Sequence, residues 1–345
     1  MKVNSYKVID IHNHFYSREW LEYVATRTED PTYEWTGPNS GLFKYDGIVM
    51  GHVDKPGDLD IDARVRELDE LGIDVQLITH TTPGITDNVE VTKSVEWAKK
   101  VNDILVDACT KYPDRFFFLA SIPAEDTNAS LKEMERAHKL GARGIQMFSN
   151  VNGELASSDK FHPLYELAAE LELVVQLHPA AKPLTADAMK IAGLPYQMYG
   201  FTMDTTMAVT SMIFKGVFDK YPKLKVHHCH LGGMAPFMIG RVDTAWKRFN
   251  AKKGSPGEWE LEGLRLPSET YKEHVYIDTL SMHVPAIKCA HEYMGTDRLM
   301  FGSDYPHRAS GSVPDNFSTL DQCGFTEEQK EKIYTLNAMK LYKLG

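Results

Sequence analysis

The 345-residue chain is expected to fold as an α/β protein, a (β/α)8 TIM barrel with loop insertions at its C-terminal face. Three observations carry this expectation. Eight short β-branched or apolar runs recur along the chain, each is followed by helical spacing, and several runs are apolar almost without a break, as strands covered on both faces are. The runs are KVIDIH (7–12), DVQLITH (74–80), RFFFLASIP (115–123), ARGIQMF (142–148), ELVVQLHP (172–179), KVHHCHLGG (225–233), HVYIDTLS (274–281) and RLMFGSDYP (298–306). Helix-like spacing fills 61–71, 89–112, 129–140, 163–171, 205–220, 235–250, 285–294 and 327–344. Eight such pairs favour a closed barrel over an open doubly wound sheet, with 1–345 as a single domain.

Two stretches interrupt the pattern after a strand, at about 15–60 and 180–202, where a barrel builds function; both are expected to form lids or substrate walls. A polar stretch at 252–272 precedes a strand instead and is assigned to the opposite, structural face. Lys and Arg number 38 against 48 Asp and Glu, a net charge of −10, which argues against a phosphate-tracking surface for nucleic acid and against an anionic membrane. No apolar run approaches the roughly 18 residues of a spanning helix, and the opening MKVNSYKVIDIHNH lacks an apolar signal core, so a cytoplasmic protein is expected. Four scattered cysteines without a C-x-x-C pair read as reduced thiols.

The unusual composition is histidine, 14 residues with clusters at His12/His14 and His227/His228/His230. Alternation along the first strand points His12 and His14 to one face, where two imidazoles chelate one ion at about 2.0–2.1 Å. Taken alone, H-x-H also describes two ordinary surface or part-buried histidines. The other candidates change the balance, because His178, His230 and Asp304 stand at the carboxyl ends of the fifth, sixth and eighth runs, and in a barrel those ends meet at one mouth. A metal centre there stands against hydrogen-bonded core histidines. His228 is expected on the same face as His230 but one layer deeper, and His227 on the other face against the helices.

The series IDIHNHF, QLHP, HCHLGG and GSDYPH, in this order and on these strands, resembles the amidohydrolase superfamily. It is most similar to the branch containing aminocarboxymuconate semialdehyde decarboxylase and the hydroxybenzoate decarboxylases, across essentially the whole chain. The resemblance implies one divalent ion, Zn or Mn, held by His12, His14, His178 and Asp304, with His230 beside it as acid/base and Asp304 also catalytic. It further implies a homodimer. No lysine suited to carbamylation ends the fourth run, which fits a mononuclear centre. The stretch 45–52 lacks the arginine with which the aminocarboxymuconate enzyme holds a carboxylate, and this argues against that particular substrate.

Trp35, Phe43, Tyr45, Met50 and His52 in the first insertion, and Tyr196, Met198, Tyr199 and Phe201 in the second, read either as walls for a flat substrate or as loop packing. His80, Tyr196, Arg241, His307 and Arg308 are the candidate substrate contacts. For Arg241 a carboxylate contact across a dimer interface stands beside an ordinary surface ion pair. The expected activity is metal-dependent nonoxidative decarboxylation, a C–C lyase reaction on a small aromatic or unsaturated carboxylic acid. The alternative is a metal-dependent hydrolase of a lactone, ester or amide using the metal's water. A barrel retained only for binding is disfavoured, because every expected ligand type is in place.

Overall fold

The barrel strands follow the apolar runs. In chain order the strands are β1 (Ile9–His14), β2 (Thr32–Gly37), β3 (Ser40–Tyr45), β4 (Ile48–Val53), β5 (Val75–Thr79), β6 (Phe116–Ser121), β7 (Gly144–Phe148), β8 (Asn150–Val151), β9 (Glu154–Leu155), β10 (Val174–His178), β11 (Val226–His228), β12 (Val275–Asp278) and β13 (Leu299–Met300). A computed structural model describes residues 6–250, 265–307 and 311–345; most of the polar stretch 252–272 lies outside them. Eight parallel strands form one sheet in the order β1-β5-β6-β7-β10-β11-β12-β13. The ring closes beyond β13. There the segment 301–305 runs beside β1, with Ile11 N donating to Phe301 O at 3.1 Å and His14 N to Tyr305 O at 2.6 Å. The expected (β/α)8 barrel is the fold observed.

Ile9, Ile11, Val75, Leu77, Leu119, Val174 and Met300 pack in one cluster with Ala338, Tyr342 and Leu344 of the C-terminal segment. Side chains of five strands around the ring meet only inside it, so this cluster is the barrel floor. A larger cluster fills the layer between sheet and helices, including Phe116, Phe118, Val175, Val226, Leu164 and Met212.

Helix bounds answer to local chemistry. The helix Ile61–Leu71 starts where the Asp60 side chain accepts from Asp62 N and Ala63 N, and ends at left-handed Gly72. The 205–220 pattern divides into Gly200–Phe214 and Val217–Lys220, because Gly216 sits at φ 66° and stops the first helix.

The first insertion is more ordered than a loop. It forms a helix, Arg18–Ala25, and an antiparallel meander of β2, β3 and β4. Asp46-Gly47 turns β3 into β4 with both residues at positive φ, the geometry a two-residue hairpin needs. Tyr16, Trp20, Tyr33, Phe43 and Val53 join Trp97 and Val101 of the helix Val91–Lys111 in a core of their own, which fastens this wall to the barrel.

Candidate metal centre

β1 carries a register slip between Asp10 and Asn13. An extra residue there lets Ile11 join the floor while His12, its neighbour, also turns to the interior. His12, His14, His178 and Asp304 are all buried, and one ligand atom from each lies within 4.8 Å of every other. Each ring is oriented by its Nδ1 edge: His12 to Asp278 Oδ2 at 2.7 Å, His14 to Thr79 Oγ1 at 3.1 Å and His178 to Pro179 O at 3.0 Å. The Nε2 atoms then converge. Those of His12 and His178 are buried with no hydrogen-bond partner, and that of His14 lies 3.0 Å from Asp304 Oδ1.

A buried polar atom without a partner costs about 1–3 kcal/mol, so such atoms facing one point mark a place built for an occupant. Three imidazoles and one carboxylate fit a single divalent ion, zinc or manganese. The charge states of two of the rings and of the carboxylate suit it. Burial pushes His14 down to about 3 and, together with the neighbouring rings, holds His178 well below its ordinary value, so both keep a free lone pair. Burial opposes ionisation of Asp304, but its contacts with the His14 and His230 rings and the other histidines around it outweigh that and hold the carboxyl well below the usual range.

His230 reaches this point by a different route from the one its spacing suggests. β11 stops at His228, and His230 and Leu231 take left-handed conformations, φ 58° and 57°, which cost L-residues about 1–2 kcal/mol each. Asp278 at the end of β12 offsets that cost: its Oδ2 accepts His230 N at 2.8 Å and its Oδ1 accepts Leu231 N at 2.7 Å. Hydrogen bonds to a charged partner are worth about 1.5–3 kcal/mol. The turn sets His230 Nε2 3.7 Å from Asp304 Oδ2. Asp304 is itself left-handed, φ 57°, with its N–H on His12 O at 2.7 Å.

The expected sides of His227 and His228 are reversed. His227 points inward, with its Nδ1 3.0 Å from Tyr342 Oη and its Nε2 3.5 Å from Asp278, while His228 points outward and meets Tyr271 Oη at 2.9 Å. Counting back by two from His230 fails because the strand has ended between them. Asp278 was missed in the sequence, although an aspartate closing an apolar run is the same signal that singled out His178. Tyr16 and Thr79 were missed as well; neither has a sequence signal.

Above the cluster opens a cavity of about 800 Å³, lined by His178, His230, Asp304 and His307 at its base. Its walls include Phe43, Tyr45, Met50 and His52 of the meander, Phe201 of the second insertion, and Leu280 and Met282 after β12. His307 is therefore at the site, with its Nε2 2.9 Å from Tyr16 Oη. The remaining substrate candidates are not brought there. His80 is buried between Tyr16 and Trp20, and burial alone lowers it to about 3. Tyr196 is buried against Ala186 and Met189, its hydroxyl 3.1 Å from Asp46 Oδ2, so it ties the two insertions together. Arg241 is exposed on the helix Ala235–Asn250, away from the cavity wall. Arg308 lies outside the described residues. Trp35 packs on Tyr33 and Arg18, and Met198 and Tyr199 face outward.

Fold and site together define a barrel whose mouth gathers a histidine–aspartate metal centre. The amidohydrolase family model matches residues 9–344, and the chain belongs to that family. It is 31% identical over 287 residues to the 2-amino-3-carboxymuconate-6-semialdehyde decarboxylase of Dictyostelium discoideum, covering 83% of this chain and 77% of the relative. It is 26% identical to the gamma-resorcylate decarboxylase of Rhizobium sp. (strain MTP-10005), covering 83% and 88%. Among solved structures, 5-carboxyvanillate decarboxylase of Novosphingobium aromaticivorans, complexed with manganese and 4-hydroxy-3-methoxy-5-nitrobenzoic acid, superposes with a TM-score of 0.84. That pair is 26% identical over 99% of this chain and 97% of the other.

Proposed function

We propose that the protein is a metal-dependent decarboxylase of a small hydroxylated aromatic acid carrying one carboxylate. The observation that carries the reading is the placement of the His12, His14, His178 and Asp304 cluster and His230 together at the base of a cavity with aromatic and methionine walls. The relatives, all decarboxylases, support the reaction class. A divalent ion held by His12, His14, His178 and Asp304 would polarise a carboxylate or phenolate oxygen of the substrate.

The protein's own groups supply the rest. His230 Nε2 stands 3.7 Å from Asp304 Oδ2 at the base of the cavity and is the group placed to deliver a proton. Transfer of that proton to the ring carbon bearing the carboxylate forms a C–H bond. The C–C bond to the carboxylate then breaks, carbon dioxide leaves, and the bonding pair restores the aromatic ring. Phe43, Met50, Phe201, Leu280 and Met282 offer apolar surface to a flat ring.

Among the described residues, Lys44 is the one lysine or arginine lining the cavity, and its ammonium is taken by Glu34. Among the described residues a second carboxylate on the substrate would meet no cation without a carboxylate partner, which favours a monoacid over aminocarboxymuconate.

The test is a panel of hydroxybenzoates, a dicarboxylate and aryl lactones, assayed for carbon dioxide and for acid release. Carbon dioxide from a monohydroxy- or dihydroxybenzoate is expected, lost on chelation and restored by manganese or zinc. Acid release from a lactone with no carbon dioxide from any acid would replace the reading with the hydrolase one.

The reading extends to one domain acting as a homodimer in the cytoplasm. The sheet spans the chain from β1 to β13, and the C-terminal segment plugs its floor. All four cysteines are unpaired, in keeping with a reducing compartment, and no helix among the described residues is long and apolar enough to cross a membrane. Phe237 is 79% exposed on the helix that carries Arg241, an apolar surface suited to a second copy. Light scattering on a sizing column is expected to give twice the chain mass, and the monomer mass for Phe237→Asp; a wild-type monomer refutes the dimer.

A further inference from the structure

We propose that Asp278 is a positioning residue with two charges in its keeping: it decides which edge of His12 faces the metal centre, and it fixes where His230 stands over that centre. This rests on the metal-site reading above.

Asp278 is fully buried at the carboxyl end of β12, with four donors on its carboxylate and His227 Nε2 3.5 Å from Oδ2. Oδ2 takes the Nδ1 edge of His12 at 2.7 Å and the N–H of His230 at 2.8 Å. Oδ1 takes the N–H of Leu231 at 2.7 Å and of Leu280 at 3.0 Å. Backbone N–H groups can only donate, so the carboxylate must accept throughout, and His12 then carries a proton on Nδ1; a ligand ring holds only that one. Its Nε2 lone pair is left for the cluster. The other two rings are held more weakly, by the Thr79 hydroxyl and by a backbone carbonyl, so His12 alone among the three is oriented by a charge.

The same oxygen that sets His12 also anchors the left-handed turn carrying His230, and the two rings sit 4.8 Å apart in a T-shaped arrangement. Gly302 supplies the room, since a Cβ there would lie 2.8 Å from the Cβ of both His12 and Asp278. One side chain thus spaces a proposed ligand from the proposed acid.

Asp278→Asn is nearly isosteric, but it places an NH2 where two donors already point. His12 is then expected to carry its proton on Nε2 and to present N–H to the ion. For apo protein titrated with manganese and followed by the EPR signal of the free ion, Kd should rise about 10–100-fold. With manganese saturating, kcat should stay at least about tenfold down while KM moves little, because His230 has lost an anchor. A merely structural role would lower the melting temperature without moving the manganese Kd, so a folded Asp278→Asn with wild-type manganese affinity overturns the proposal.

Should that variant not fold, 15N-histidine NMR of the metal-free wild type decides, with the His12 signals assigned by their loss in His12→Gln. A proton on Nδ1 is expected, and a ring protonated on Nε2 alone overturns the proposal. Neither readout uses a substrate, so both stand apart from the outcome of the carbon dioxide assay.

Discussion

Two segments of this chain share the spacing His-x-His and fold to opposite ends. In His12-Asn13-His14 the strand continues through both residues, alternation holds, and both rings enter the site. In His228-Cys229-His230 the strand stops at the first histidine. The left-handed turn then carries His230 to the mouth and leaves His228 against Tyr271 outside the sheet. A period-two argument is therefore only as good as the strand beneath it. The second segment exchanges regular geometry for placement of one side chain, and Asp278 supplies the hydrogen bonds that make the exchange tolerable.

The contrast makes measurable statements, beginning with turnover. His230→Asn is expected to lower kcat by about 10²–10⁴-fold, the usual loss of a general acid, whereas His228→Asn should leave kcat within about threefold of wild type. Equal losses from the two would mean that both histidines serve the chemistry, and the division between them would fall.

A smaller effect separates the same residues by pH. Burial pushes His228, like His80, down to about 3 in the folded protein, while an unfolded histidine binds its proton near 6.5. Between these values the unfolded state holds more protons, so stability rises with pH across the window and falls as the solution is acidified below about 6.5. At pH 5 each residue should cost about 2 kcal/mol, and His228→Asn should remove its share of the slope in urea midpoints measured from pH 7.5 to 5. An unchanged slope would show that His228 is protonated in the fold.

Much of the fold was legible because barrel units repeat a local pattern. Asp60 and Gly72 bracket one helix as a cap and a left-handed stop should, and the runs at 7–12 and 172–179 fall on the strands β1 and β10. The meander was legible too in hindsight, since Asp46-Gly47 between alternating aromatics is a hairpin signal. The substrate wall was far less so. His80, Tyr196 and Arg241 have the right chemistry and the wrong surroundings, and what separates them from His307 is which neighbours close around each ring or guanidinium. Tyr16 looked like any other aromatic until it met His307.

By itself the sequence determined the repeat of strands and helices, the net acidic charge, and the four residues whose strand-end positions send them to one mouth. These follow from periodicity and charge, which are properties of neighbours along the chain. The tertiary structure decided the rest: the inward turn of His12 beside Ile11, the left-handed placement of His230 and Asp304, and the hold of Asp278 on two histidines. Asp278 is 266 residues from His12, and Asp304 is 290 from His14. Contacts that distant exist only once the segment beyond β13 closes against β1, and no local preference encodes the closure of a ring.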